Sequence, residues 1–421
     1  MSEHKRSRWF LGGIHFLLLS FFLAGCGFSG QSFSSDTSTV KVVLNKCQTS
    51  FPSSAVGAHE SVVTPQILYV TASNSLYALN ANNGTGRWCE QLTVVRNSSC
   101  PAGASCPPDL GMLFGKPKIA NGVAYVCGFG DTDRLYAFNM GNGALLWQTP
   151  TDCGLPDPAF LSYAVPFVQN GMVYDGTYAL RASDGTILWR IPIDTQVDGG
   201  LQIQTVEGDT IYGNTVDTVY AIDASNGKVL WHYKAATQMP IGGPLVVENQ
   251  RLFVGTLGSS DNPQASGFYA LNANTGSLLW HYQMGDYNGA AVSNGAVYVS
   301  SRDRHVYALQ EDNGRVLWKH SFASSVYQMP ISSEDVLYIN TDGAYALRST
   351  DGTVLWHRNF QGDPTVDFTP SVVSNGITYL AAVNINSDGS EQTTLYALNA
   401  SSGVIYWQHT YPFRANPLTI V

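Results

Sequence analysis

Apolar and polar residues alternate along short stretches of this chain, and turn-forming residues separate the stretches. Residues 305–309 (HVYAL) and 315–319 (RVLWK) are one such pair. An alternation with a period of two residues predicts half-buried β-strands. Asn313-Gly314 lies between the two stretches, and glycine suits a tight turn because it tolerates positive φ. The pair therefore predicts a β-hairpin.

This hairpin pattern occurs eight times: Tyr-Ala-(Leu/Phe/Ile), with Gly seven residues after the Tyr and Trp eleven residues after it. The glycines are Gly84, Gly143, Gly185, Gly227, Gly276, Gly314, Gly352 and Gly403, and the tryptophans are Trp88, Trp147, Trp189, Trp231, Trp280, Trp318, Trp356 and Trp407. A second hairpin precedes each copy, as at Asn294-Gly295. Each unit therefore has four strands.

Eight such units predict an all-β fold, an eight-bladed β-propeller of four-stranded antiparallel blades over residues 40–421. A solenoid is the alternative, but its end repeats would differ as caps, whereas here they resemble the middle ones. Three segments are candidates for the strand that closes the ring: residues 61–70, 416–421 and 40–44.

The repeated hairpin resembles the tryptophan-docking motif of the propeller family named for pyrroloquinoline quinone (PQQ) enzymes, over roughly residues 60–421. The resemblance implies that each Trp stacks between blades near the Ala and Gly of the motif, and it does not imply a bound quinone. Two functions occur in this family: PQQ-dependent dehydrogenases, which bind the quinone with Ca²⁺, and non-catalytic lipoproteins. The lipoprotein type includes the propeller subunit of the outer-membrane β-barrel assembly machinery, which this chain also resembles in its N-terminal region.

Residues 1–25 read as a lipoprotein signal peptide, with Lys5, Arg6 and Arg8 ahead of an apolar stretch. Leu23-Ala24-Gly25-Cys26 resembles the bacterial lipobox, so Cys26 is the predicted lipidation site. The alternative is an ordinary secretory signal with a chance cysteine. Residues 26–39 are rich in Ser and Thr and predict a tether. We therefore expect lipid anchoring in the bacterial cell envelope, on the extracytoplasmic side.

Six further cysteines fit an oxidising compartment, and disulfides are predicted among Cys47, Cys89, Cys100, Cys106, Cys127 and Cys153. A local Cys100–Cys106 bridge is the first expectation, and the other pairings stay open. Metal binding is the rival interpretation, but no Cys-x-x-Cys spacing occurs. A formal charge of −9 without a basic run in the propeller region argues against nucleic acid as a partner.

The sequence offers few residues for chemistry. PQQ carries three carboxylates that need cations, and the interblade loops supply two lysines beside neutral or acidic residues. These residues are Lys116, Lys118, Tyr163, Gln202, Gln238, Tyr327, Gln328 and Asp367. Asp286 and Asp367 could be bases or Ca²⁺ ligands, but solvated loop carboxylates are the favoured interpretation.

Two further patterns resemble metal-binding sites but are better explained as structural features. Residues 384–389 (NINSDG) resemble a Ca²⁺ loop, yet an enlarged hairpin loop explains them better. His232, His281 and His357 each follow a motif Trp, and their places on separate blades predict polar outer-strand positions instead of a shared metal.

No catalytic, cofactor-binding or metal-binding residue is therefore predicted. The expected function is a monomeric, non-catalytic module that binds an envelope or surface protein or peptide. The alternative is a PQQ-dependent dehydrogenase acting on alcohols or sugars.

Overall fold

The computed structural model describes residues 41–46, 66–72, 75–95, 112–129, 133–153, 165–192, 201–234, 240–258, 266–360, 367–369, 371–385, 390–412, 414–415 and 418–420. They belong to one compact unit, Val40–Val421. Within these ranges the chain forms strands and turns and no helix. Accordingly, no described residues form a helix with the length and apolarity needed to cross a membrane.

The strands form eight antiparallel sheets, so the predicted eight-bladed propeller is confirmed. Strands A to D are named from the centre of the ring outward. The innermost strands of successive blades contact one another from blade 2 to blade 8 and back through blade 1. This circuit of contacts is the direct sign of a closed ring, and it excludes a solenoid.

Blades 2 to 7 follow the repeat, with four strands each. Blade 2 has β5 (Met112–Ala120), β6 (Val123–Phe129), β7 (Arg134–Asn139) and β8 (Leu145–Pro150). Blade 3 has β9 (Phe167–Gln169), β10 (Met172–Asp175), β11 (Tyr178–Arg181) and β12 (Ile187–Arg190). Blade 4 has β13 (Gln202–Glu207), β14 (Thr210–Asn214), β15 (Thr218–Asp223) and β16 (Val229–Lys234).

The next three blades are built in the same way. Blade 5 has β17 (Ile241–Glu248), β18 (Arg251–Thr256), β19 (Gly267–Asn272) and β20 (Leu278–Gln283). Blade 6 has β21 (Tyr287–Ser293), β22 (Ala296–Ser301), β23 (His305–Gln310) and β24 (Val316–Ser321). Blade 7 has β25 (Ile331–Ser333), β26 (Val336–Asn340), β27 (Ala344–Arg348) and β28 (Val354–Arg358).

Blade 1 is built from both ends of the described chain. Its sheet order is β1-β4-β3-β2-β34. The strands are β1 (Lys41–Lys46), β2 (Ile67–Ala72), β3 (Ser75–Asn80), β4 (Gly86–Val95) and β34 (Thr419–Ile420). The C-terminal strand β34 is therefore strand A of this blade, and β1 adds a fifth strand outside β4. Of the three candidates for closing the ring, residues 416–421 contain the strand that does so, β34, and residues 41–44 of the candidate 40–44 lie in β1 at the outer edge.

Blade 8 also departs from four strands, because two short strands occupy its inner position. Its strands are β29 (Asp367–Phe368), β30 (Val372–Ser374), β31 (Ile377–Ile385), β32 (Glu391–Asn399) and β33 (Ile405–Tyr411). Both β29 and β30 pair with β31. The hydrophobic core is divided between the blade interfaces. One buried cluster, for example, joins Tyr125 and Trp147 of blade 2 to Val173 and Leu180 of blade 3.

Candidate functional site

Each motif tryptophan lies on strand D, directly opposite the motif alanine of strand C. The register pairs Ala270 with Trp280 and Ala397 with Trp407, and the other six blades repeat it. The small alanine leaves the indole room to lie toward the next blade. The indole Nε1 then donates a hydrogen bond to a carbonyl of that blade, as from Trp280 to Glu311 O at 2.9 Å.

Seven of the eight tryptophans make this interblade hydrogen bond. Each bond runs from an indole Nε1 to a backbone carbonyl. The pairs are Trp88 with Met140, Trp147 with Ala182, Trp231 with Ala273, Trp280 with Glu311, Trp318 with Ser349, Trp356 with Ala400, and Trp407 with Ala81. The exception is Trp189, whose buried Nε1 has no acceptor among the described residues.

The motif glycine of the next blade lies against each indole ring. All eight glycines have φ between 68° and 77°, a conformation that favours glycine. A Cβ added to Gly314 would lie 2.6 Å from Trp280 Cε3, so the ring occupies the space that a side chain would need. The same contact joins Trp407 of blade 8 to Gly84 of blade 1. The motif residues are thus engaged in docking blades and lie apart from one another around the ring.

The other candidate surface is the loop face, defined here as the face that bears the turns between strands B and C and the crossovers that follow strand D. Carboxylates connect blades on this face. Asp152 accepts hydrogen bonds from the backbone N–H and the hydroxyl of Thr177. Asp286 accepts from Gly258 N at 2.6 Å and lies 3.9 Å from Arg302. Asp286 therefore links blade 5 to blade 6.

Tyr327 is the most exposed large hydrophobic side chain among the described residues, at 61%. Arg302 lies over its ring, with the guanidinium carbon 5.8 Å from the ring centroid. Two residues expected in interblade loops lie within strands instead. Gln202 begins β13 and accepts a hydrogen bond from Gln204. Lys118 lies in β5, with its Nζ 5.5 Å from the Phe167 ring centroid. Gln328 adjoins Tyr327 in the same crossover. Tyr163 and Gln238, and the side chains of Lys116 and Asp367, lie outside the described residues.

Two arginines of the loop face are already engaged within the protein. A quinone with three carboxylates needs several unengaged cations. Arg190 instead stacks on Tyr178 at 5.0 Å and lies 4.0 Å from Asp152, while Arg302 is engaged as described above. The described part of the chain contains a single metal-type cluster, and its donors include two sulfurs, whereas Ca²⁺ takes oxygen ligands. The expected absence of PQQ and Ca²⁺ stays a prediction.

One disulfide is resolved among the described cysteines. Cys127 on β6 bonds to Cys153, just after β8, with a Cα–Cα distance of 5.8 Å. Cys89 is also disulfide-bonded. Its candidate partners lie outside the described residues, as do Cys26, Cys47 and the expected Cys100–Cys106 bridge.

A buried carboxylate, which the sequence analysis missed, faces this disulfide from the next blade. Asp175 ends β10 and is 2% exposed. Its Oδ1 and Oδ2 lie 3.6 and 3.7 Å from Cys127 Sγ. Burial raises the pKa of Asp175 to about 7, the hydroxyl of Thr151 lowers it in part, and the carboxylates of Asp152 and Asp133 raise it further.

The repeat itself marks Asp175 as unusual. The residue after the aromatic position of strand B is aliphatic in six of the other blades, namely Val70, Val126, Val254, Val299, Ile339 and Leu380, and is Gly213 in blade 4. An acidic residue at a core position of a repeat is a signal that could have been found from the sequence.

The remaining candidates are separate. His232, His281 and His357 lie on three different blades and each packs on the Tyr of its own motif, at 6.1, 4.4 and 3.9 Å between ring centroids. Asn384 and Ile385 end β31, where Ile385 pairs with Glu391 of β32. Residues 386–389, the rest of the predicted loop, lie outside the described residues.

Comparisons with known proteins agree with this architecture. A search of curated protein sequences found no match. The crystal structure of BamB from Moraxella catarrhalis is 15% identical, with a TM-score of 0.54 over 84% of this chain and 97% of that chain. The computationally designed Ika8 protein is 12% identical, with a TM-score of 0.55 over 70% of this chain and 86% of that one.

A redox enzyme with the same fold is also similar. The quinohemoprotein alcohol dehydrogenase from Comamonas testosteroni is 13% identical, with a TM-score of 0.52 over 70% of this chain and 66% of that one. At these identities the likenesses establish the fold alone. The family model described as outer membrane protein assembly factor BamB matches residues 39–178, 175–289 and 285–419. Because these matches cover nearly the whole propeller, the chain belongs to the BamB-like family of PQQ-type propellers.

Proposed function

We propose that this protein is a non-catalytic scaffold that binds other proteins in the bacterial cell envelope, held by a lipid on Cys26 and facing the extracytoplasmic side. The observation that carries the proposal is the match of the BamB family model along residues 39–419. The name of that family gives outer-membrane protein assembly as its setting. The partner is then an envelope or surface protein or peptide, and the propeller acts as a monomer.

The chemistry of the loop face supports binding over catalysis. Asp152, Asp286, Arg190 and Arg302 make contacts that join blades or crossovers. Groups engaged in this way are poorly placed to move protons in a reaction. Tyr327, by contrast, offers an exposed ring, and Tyr and Arg are enriched at protein interfaces. We place the binding surface on the loop face around Tyr327.

Lipid anchoring can be tested by growing cells with a labelled fatty acid and comparing the wild type with Cys26→Ser. We expect label on the wild-type chain and none on the variant, which would also keep its signal peptide. Cleavage of the variant by an ordinary signal peptidase, without labelling of the wild type, would support the secretory alternative.

Protein binding can be tested with a photo-crosslinking amino acid at Tyr327 and, as a matched control in a turn on the opposite face, at Asn313. We expect discrete adducts with envelope proteins from Tyr327 and none from Asn313. Equal adducts from both positions, or none from either, would overturn the assigned surface. Stoichiometric binding of PQQ with Ca²⁺ in equilibrium dialysis would instead favour the dehydrogenase.

A further inference from the structure

The interface between blades 2 and 3 contains an arrangement that the scaffold function does not use. Cys127, Cys153 and Asp175 are all buried, and one ligand atom from each lies within 4.8 Å of the other two. Cys127 and Cys153 belong to blade 2 and the crossover that follows it, whereas Asp175 comes from blade 3. The cluster therefore bridges two blades.

A carboxylate gains little from a disulfide at this place. Disulfide sulfurs carry no hydrogen, so they cannot donate to Asp175, and a buried carboxyl group without sufficient donors is costly. Thr151 supplies one hydroxyl hydrogen bond. Six of the other blades avoid the cost with an aliphatic residue. Asp175 interacts favourably with the two sulfurs only when they are thiols that can donate hydrogen bonds to it, or thiolates that bind the same cation.

Two sulfur–oxygen distances in the oxidised protein match those between ligand atoms around a tetrahedral cation, and the two sulfurs reach such a separation only after the disulfide is reduced. Around Zn²⁺, bonds of about 2.0–2.3 Å to sulfur and oxygen place tetrahedral ligand atoms roughly 3.5–3.8 Å apart. Cys127 Sγ lies 3.6 Å from Asp175 Oδ1, and Thr151 Oγ1 lies 3.6 Å from Cys153 Sγ. Thr151 thus adds a neutral oxygen beside the two sulfurs and the Asp175 carboxyl group. Asp133 and Asp152 contribute further negative charge nearby.

We propose that Cys127, Cys153 and Asp175 form a redox-gated site for a thiophilic divalent cation such as Zn²⁺. In the oxidised protein the two sulfurs form the disulfide and the site is closed. A dithiol reductant transfers two electrons and two protons to the disulfide and becomes a disulfide itself. The cation then displaces the two thiol protons to solvent and binds both thiolates and the Asp175 carboxylate.

Co²⁺ is the probe that tests this site, because thiolate ligands give it charge-transfer absorption and a tetrahedral site gives it intense visible bands. The purified protein is reduced with dithiothreitol under argon, desalted and titrated. We expect a sulfur-bound Co²⁺ in the reduced protein and none in the oxidised protein. Absence of these bands from the reduced protein would overturn the proposal.

Two variants separate this site from the other cysteines. Asp175→Val introduces the aliphatic residue type found in six other blades and leaves both sulfurs in place. We expect it to weaken Co²⁺ binding more than ~10-fold, the lower end of the loss seen even for outer-shell partners. Asp312→Asn, at a carboxylate of blade 6 whose side chain is 68% exposed, should bind as the wild type does. Unchanged affinity in Asp175→Val would remove the carboxylate from the ligand set.

A second measurement needs no variant. Reduced wild-type protein is treated with iodoacetamide with and without Zn²⁺, and the modified cysteines are identified by mass spectrometry of peptides. Zn²⁺ should protect Cys127 and Cys153 from alkylation. Protection of other cysteines with these two left reactive would assign the metal elsewhere and overturn the proposal.

Discussion

Two blade interfaces can be compared, the one between blades 2 and 3 and the one between blades 5 and 6. They have the same contacts around the motif tryptophan, in their outer halves, and different residues toward the loop face. In both, the indole Nε1 reaches a carbonyl of the next blade, at 3.0 Å for Trp147 and 2.9 Å for Trp280. In both, a motif glycine lies against the ring. The repeat therefore dictates the outer half of each interface.

Toward the loop face the two interfaces have opposite chemistry. Where blades 2 and 3 have Cys127 and Asp175, blades 5 and 6 have Gly255 and Val299. The ring of Tyr287 lies over Gly255 and fills the space that a side chain would take, with Phe268 at 5.3 Å between ring centroids. The tryptophan and glycine contacts of the repeat are the same in both interfaces. The remaining residues of an interface can therefore be apolar or polar, and this part of the interface is free to take on a different function.

Removal of a docking tryptophan should have the largest effect. Trp280→Ala and Trp147→Ala should each destabilise the protein by ~3–5 kcal/mol, the range for a large buried aromatic. Trp189→Ala should cost less, because its Nε1 has no acceptor among the described residues. Urea denaturation measures all three. A loss for Trp189→Ala as large as that for Trp280→Ala would show that the hydrogen bond adds nothing.

The second-largest effect on stability should come from exchanging residues between the two interfaces. Val299→Asp places an unpaired carboxyl group in an apolar interface and should cost about 3 kcal/mol or more. Asp175→Val should stabilise the oxidised protein by about 1–4 kcal/mol, since replacement of buried charge by a well-packed apolar residue is often favourable. Thermal melts near neutral pH check both. Equally small changes in melting temperature for Val299→Asp and Asp175→Val would mean that both interfaces tolerate a buried carboxyl group equally well.

Two glycines of blade 6 offer a smaller, matched test. Gly314 and Gly295 have φ of 72° and 73°, but only Gly314 has the Trp280 ring against it, and nothing lies within 4 Å of a Cβ on Gly295. Both Ala variants incur the backbone strain, about 1–2 kcal/mol. Gly314→Ala should cost a further ~1–3 kcal/mol from overpacking. Equal denaturation midpoints would argue against a tight ring contact.

The smallest effect should come from a surface ion pair between blades 5 and 6. Arg251 lies 2.7 Å from Asp312, whose side chain is 68% exposed. Asp312→Asn should change the free energy of unfolding by less than ~1 kcal/mol, and salt should reduce the difference. A larger effect that persists in high salt would give this pair a part in docking the two blades.

The sequence predicted the blades well because their signal is periodic. The Tyr-Ala, Gly and Trp positions recur with fixed spacing, so eight copies support one another, and the positive φ of Asn294 and Gly295 followed from the Asn-Gly turn. Ring closure depends on pairs such as Tyr69 with Thr419, which no local pattern encodes. The Cys127–Cys153 pairing was likewise one of many that the spacing allowed.

Asp175 lies outside the repeated motif and was therefore not predicted. Periodicity draws attention to the residues that repeat, and the chemistry of this cluster depends on one that does not. Asp175 is acidic where its counterparts Val126 and Val299 are aliphatic. Contacts between adjacent blades, such as that of Cys127 with Asp175, then follow only when both strands are placed in three dimensions.

The seam in blade 1 has a consequence for how the protein folds. Strand β34 pairs with β2 at only two positions, Leu68 with Ile420 and Tyr69 with Thr419, while Trp407, His409 and Tyr411 reach Ala81, Asn83 and Gly84 across the same interface. These contacts span more than 300 residues, and such distant pairing slows folding because the chain entropy is lost before the contacts form. Blade 1 can be completed only after strand β34 has been synthesised. The slow step of folding, and the first step of unfolding, should therefore be the closing and opening of this one seam.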